Sequence, residues 1–92
     1  MEKNIESLKK LIDLNDVEKA LELSDELLAM EEADKEKIYY LRGNIYRKMS
    51  NWQQALNNYL AAIEINPGSP ALQAKNMLMD ILNFYNKDMY NQ

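Results

Sequence analysis

Ninety-two residues with a formal net charge of −4 describe one small domain that leaves much of its surface wet, and this acidity counts against nucleic acid, whose binding relies on counterion release by basic side chains. The chain has neither cysteine nor histidine, which excludes disulfides, thiolate or imidazole metal ligation, the thiolate nucleophile and the commonest general base. Residues 1 to 35 carry eleven acidic against five basic side chains, residues 36 to 92 carry four against six, and all eight aromatics lie in that second part. Contact surfaces favour Tyr, Trp and Arg, so the second part is the expected binding end, although Tyr46 and Tyr59 also suit a core.

The first stretch, MEKNIESLKK, is interrupted by charges and does not read as a signal peptide. No apolar run approaches the roughly 20 residues that a membrane span needs. A soluble, cytoplasmic protein is expected. Ile5, Leu8, Leu11 and Ile12 recur at helical spacing and predict an amphipathic helix over residues 3 to 14. Asn15-Asp16 breaks it, and Asp16 is placed to cap a second helix whose apolar face runs through Val17, Ala20, Leu21, Leu23, Leu27, Leu28 and Met30. The DLND segment at Asp13 to Asp16 lacks the oxygen ligand and glycine of a calcium loop, because Val17 and Glu18 hold those places. The acidic run Glu31, Glu32, Asp34 and Glu36 reads as a solvated turn with Asp34 as the next cap; a catalytic carboxylate pair would need a pocket that nothing here suggests.

A third helix is predicted from about Lys35 to Met49 with three faces. Tyr39, Gly43 and Tyr46 form a stripe facing a partner helix, where Gly43 allows an aromatic to approach the backbone closely. Ile38, Leu41, Ile45 and Met49 form an apolar stripe suited to the preceding hairpin. The third stripe is Lys37, Tyr40, Asn44, Arg47 and Lys48. Ser50 to Gln53 and Asn51 to Gln54 are overlapping capping boxes that open a fourth helix, with Ala55, Leu56, Tyr59, Ala62, Ile63 and Ile65 as its apolar positions. In Asn66-Pro67-Gly68-Ser69-Pro70 the Pro-Gly pair stops that helix, and Ser69 caps a last one.

Within this layout Gly43, Tyr46, Ala55, Tyr59, Ala62 and Pro67 make the run from 36 to 69 resemble a tetratricopeptide repeat, a helix-turn-helix unit of about thirty-four residues. Tyr39 stands for the usual Trp, and Arg42 replaces a leucine whose contact Leu41 would supply. Ala20 precedes Ala55 by thirty-five residues, so residues 1 to 35 look like a degenerate copy with one extra residue near Glu31 to Lys35. In it Asn4, Ser7 and Leu8 replace Trp, Leu and Gly, Ser24 replaces the second-helix aromatic and Glu32 the proline. Residues 70 to 92 would be a capping helix and short tail.

The resemblance implies an all-α fold of stacked antiparallel hairpins, about five helices in a right-handed superhelix, acting as a protein-interaction module and not as an enzyme. It also implies that Lys37, Tyr40, Asn44, Arg47 and Lys48 line a concave groove. There Tyr40 would give apolar contact, Asn44 would bond peptide backbone, and the three cations would favour an acidic ligand. Some members clamp a chaperone's C-terminal carboxylate with lysine and asparagine. Asn44 fits one clamp position, but Tyr40, and Ile5 in the first copy, stand where lysine is needed, so that ligand is not expected.

Without a glycine-rich loop, and with serines only at 7, 24, 50 and 69, no catalytic site, metal or cofactor is expected. Arg42, Arg47 and Lys48 near Tyr40 and Trp52 are the basic-aromatic set that nucleic acid would need, and the overall acidity opposes that use. The last helix buries one face through Ala71, Leu72, Ala74, Leu78, Ile81, Leu82 and Tyr85, while Met77, Met79 and Phe84 widen its apolar surface beyond one contact. Phe84, Met89 and Tyr90 are therefore candidates for self-association, and a homodimer or other homo-oligomer is the alternative to ligand capture.

Overall fold

The computed structural model describes residues 3–85; Met89 and Tyr90 lie outside the described residues. The expected five helices follow one another as α1 (Ile5–Asp13), α2 (Val17–Leu28), α3 (Lys35–Lys48), α4 (Trp52–Ile65) and α5 (Ala71–Tyr85). No strand occurs among the described residues. The fold is all-α, with α1 packed on α2 and α3 on α4 as helical hairpins, α3 also against α2, and α5 against α4.

Short polar side chains start the first four helices. Asn4 accepts the Ser7 N–H at 2.9 Å, Asp16 that of Lys19 at 3.4 Å, Asp34 that of Lys37 at 3.3 Å and Asn51 that of Gln54 at 3.3 Å. Each such cap is worth about 1 kcal/mol relative to alanine. The two intra-hairpin turns share one geometry, with Asn15 and Ser50 both left-handed at φ 60°. The N–H groups of Asp16 and Asn51 reach back to the Leu11 and Tyr46 carbonyls, each at 2.9 Å, which satisfies orphan carbonyls at the preceding helix end. Ser50 is thus the residue that reverses the chain and not a helix cap, and of the expected overlapping boxes only the Asn51 cap forms, because the Asn51 N–H that would close its box goes to Tyr46.

Two apolar clusters flank α3. Leu8, Ile12, Ala20, Leu23 and Leu27 meet Ile38, Leu41 and Ile45 on one side. Ala55, Tyr59, Ala62, Ala71 and Leu78 form the other, with Tyr39, Tyr46 and Trp52 packed on it. The expected faces of α3 are therefore both present, although Met49 at its end is exposed. The second cluster is mostly alanine around one large side chain, and Tyr59 can enter only because Gly43 has no side chain. A Cβ at Gly43 would lie 3.1 Å from the Tyr59 Cζ and closer still to Cδ1 and Cε1, well inside van der Waals contact.

Candidate functional site

The polar stripe of α3 faces the start of α5. Tyr40, Asn44 and Arg47 on one side and Pro70, Gln73, Ala74 and Met77 on the other enclose a shallow cleft of about 200 Å³. The α4–α5 turn sets its width. Buried Ser69 donates its hydroxyl to Glu36 Oε2 at 2.7 Å and accepts the Ala71 N–H at 3.1 Å, which ties the first turn of α5 to the first turn of α3. The cap on α5 was legible at Ser69; its partner Glu36, thirty-three residues away, was not.

Beneath the cleft the Tyr59 ring is fully buried, with the Tyr40 ring tilted at 38° and 6.3 Å between centroids. Its hydroxyl donates to Asn44 Oδ1 at 2.5 Å. Loss of hydration raises the Tyr59 pKa above its ordinary value of 10.0, Arg47 opposes the rise and Tyr40 adds to it. Tyr59 is therefore a neutral donor, and Asn44 is held by its oxygen while its amide nitrogen keeps two N–H donors. Among the described residues no ion pair involves Arg47. The polar lining is consequently rich in donors, and Tyr40, Ala74 and Met77 supply apolar surface beside them.

The other sequence-predicted residues fall elsewhere. Lys37 and Lys48 are exposed near the two ends of α3 and do not line the cleft. Arg42 is turned to the opposite side, where Nη2 meets Asp25 Oδ1 of α2 at 2.7 Å and the guanidinium lies 5.7 Å from the Tyr46 ring centre. The basic-aromatic set that nucleic acid would need is thereby divided between two faces. Phe84 is 75% exposed and borders an apolar hollow of about 460 Å³ with Trp52, Ile81 and Asp80. A further hollow of about 330 Å³ lies between the start of α1 and the α2–α3 turn, lined by Ile5, Leu27, Met30 and Ile38 among others. The acidic turn at Glu31 to Glu36 contributes Glu32 and Asp34 to its rim. Among the described residues no group of three or more acidic side chains is placed to hold a metal ion, and no helix is long and apolar enough to cross a membrane.

The Tetratricopeptide repeat family model matches residues 36–69, the stretch that holds Gly43, Tyr59 and one wall of the cleft. Among solved structures, the solution NMR structure of Bacteroides fragilis protein BF1650 is similar to this chain, with 60% sequence identity over 95% of this chain and 88% of that one and a TM-score of 0.85. No curated protein matches.

Proposed function

The chain belongs to the tetratricopeptide repeat family, whose units generally mediate protein–protein interactions and typically act as non-enzymatic scaffolds, and we propose that it holds an extended acidic segment of a partner protein in the α3–α5 cleft. The observation that carries this reading is the meeting of Tyr40, Asn44 and Arg47 with Gln73 and Met77 in one hollow. Tyr40 and Met77 cover apolar parts of the ligand, Asn44 bonds its main chain, and Arg47 selects a carboxylate. Lys37 and Lys48, exposed nearby on α3, add long-range attraction for an acidic segment and no direct contact in the cleft.

In this reading residues 1–35 are a degenerate repeat, residues 36–69 the full one and residues 70–92 a capping helix with a short tail, all in one domain. Two observations support the first copy. Its turn repeats the left-handed residue followed by an Asx cap at an offset of thirty-five, Asn15-Asp16 against Ser50-Asn51. Leu8 and Ser24, both fully buried, stand at the same offset from Gly43 and Tyr59, so the bulky residue has moved from the second helix of the hairpin to the first. The apparent departures from the repeat pattern compensate each other in volume.

An affinity capture from the native cell extract tests the cleft. The partner retained by the wild type is lost with Tyr40→Ala combined with Arg47→Glu and kept with Leu14→Ser, which lies outside the cleft; retention by the double variant overturns the reading. The exposure of Phe84 beside the Trp52 and Ile81 hollow favours a second reading, a homodimer formed through α5. Light scattering at micromolar concentration distinguishes it, since a dimer that Phe84→Ser disperses supports self-association and a monomer removes it.

A further inference from the structure

We infer that Tyr59 is a positioning residue for the cleft: its buried hydroxyl holds Asn44 by Oδ1, so that Asn44 meets a ligand through its N–H donors and selects acceptor-rich, acidic peptide over basic peptide. The inference rests on the cleft being the ligand site. An asparagine amide is ordinarily indifferent to ligand polarity, because it offers a carbonyl oxygen and an NH2 group and can rotate to present either. Here one end is engaged. The Tyr59 hydroxyl donates to Oδ1 at 2.5 Å, and the ring that carries it is fully buried over Gly43, so the hydroxyl has little freedom to follow a rotating amide. Turning Asn44 over would set its amide nitrogen against the tyrosine oxygen at 2.5 Å, a separation that suits an O–H···O bond and is shorter than an N–H···O bond spans.

The Arg47 guanidinium on the same wall also carries donors only. The two side chains lie on one face of α3, three residues apart, where neighbouring groups can reach the same ligand residue. A carboxylate or main-chain carbonyl satisfies both, whereas a lysine or arginine side chain brings a further donor and a repelled charge. Tyr59 thus acts on specificity without touching the ligand.

The experiment is 15N-resolved NMR of the full chain. In the ligand-free protein, Tyr59→Phe shifts the Asn44 side-chain amide pair and draws its two proton frequencies together, whereas Tyr40→Phe leaves the pair in place; backbone dispersion shows that each variant is folded. An Asn44 pair unmoved by Tyr59→Phe overturns the positioning role whatever any peptide does. Titration then uses an N-acetylated, C-amidated peptide of alternating alanine and aspartate, with its alanine and lysine counterpart as the control. The acidic peptide shifts the Asn44 side-chain amide and Arg47 Nε signals and the basic one does not. Tyr59→Phe weakens the acidic peptide about five- to tenfold, the equivalent of one hydrogen bond. Asn44→Asp keeps an acceptor for Tyr59, removes the donors and abolishes binding. Equal affinity in Tyr59→Phe overturns the inference while leaving the cleft reading standing. Failure of the acidic peptide to perturb Asn44 and Arg47, in a protein whose free amide pair does respond to Tyr59→Phe, overturns the cleft reading and the selectivity together.

Discussion

Replacing Gly43 with alanine reverses the usual consequence of removing a helix-interior glycine. On propensity alone the change stabilises a helix by about 1 kcal/mol. In this position the added methyl enters the space of the Tyr59 ring, 3.1 Å from Cζ and nearer to two other ring carbons. The obstacle is the body of a fully buried ring and not the flexible end of a side chain, and the ring is anchored through its hydroxyl to Asn44. Overpacking of this kind costs about 1–3 kcal/mol, and displacing the ring far enough to relieve it forfeits a hydrogen bond worth about 1 kcal/mol. After the propensity gain, Gly43→Ala is expected to lose about 1–3 kcal/mol, a fall in Tm of roughly 5–20 °C for a chain of this size. Gly68→Ala is the control. Its new Cβ would meet only Asn66 Oδ1 at 3.4 Å, an ordinary contact, so its stability should change by less than about 0.5 kcal/mol. Paired denaturant and thermal unfolding measure both. A Gly43→Ala protein as stable as the wild type would refute the claim that Gly43 exists to admit Tyr59.

Ser50→Gly removes the strain of a β-carbon at φ 60° and should raise stability by about 0.5–1 kcal/mol in urea unfolding, whereas Ser50→Val should lower it. A double-mutant cycle on Glu36→Ala and Ser69→Ala should give a coupling of about 1–2 kcal/mol, and additive losses would show that the bond does not hold α5 to α3. Asp25→Ala should cost no more than about 1 kcal/mol, because its carboxylate is 62% exposed where it meets Arg42; unfolding at low and high salt measures it. For Tyr59 the folded pKa lies above the unfolded one, so its contribution is complete below pH 10 and declines as pH rises through the folded value. Alkaline titration of stability should therefore show a steeper loss above pH 10 in the wild type than in Tyr59→Phe, and parallel curves would contradict the raised pKa.

Local features of this protein were readable from the chain. The helices, three of their Asx caps at Asp16, Asp34 and Asn51, and the stop at Pro67-Gly68 depend on residues within one turn of each other, so spacing alone reveals them. The two packing faces of α3 were equally legible, since each is a row of core-forming residues at helical spacing. Ser50 misled because a serine before an asparagine looks like a cap, while the left-handed turn that it occupies normally announces itself with glycine. The long-range pairings were not legible. Tyr59 with Asn44 and Ser69 with Glu36 beside the cleft, and Arg42 with Asp25 on the opposite side, join residues fifteen to thirty-three positions apart, and nothing in either partner's local sequence names the other. The stripe on α3 also suggested five groove residues, but only Tyr40, Asn44 and Arg47 of them line the cleft with the start of α5.

Site-specific photo-crosslinking in the native cell tests the central claim most directly. A photoreactive residue is placed in turn at Tyr40, Gln73, Leu14 and Phe84, and the adducts are identified by mass. The account predicts that the two cleft positions, on different helices, capture the same acidic segment of one partner and that Leu14 does not. A chain that forms no adduct from Tyr40 or Gln73, while Phe84 crosslinks to a second copy of the protein, would contradict it.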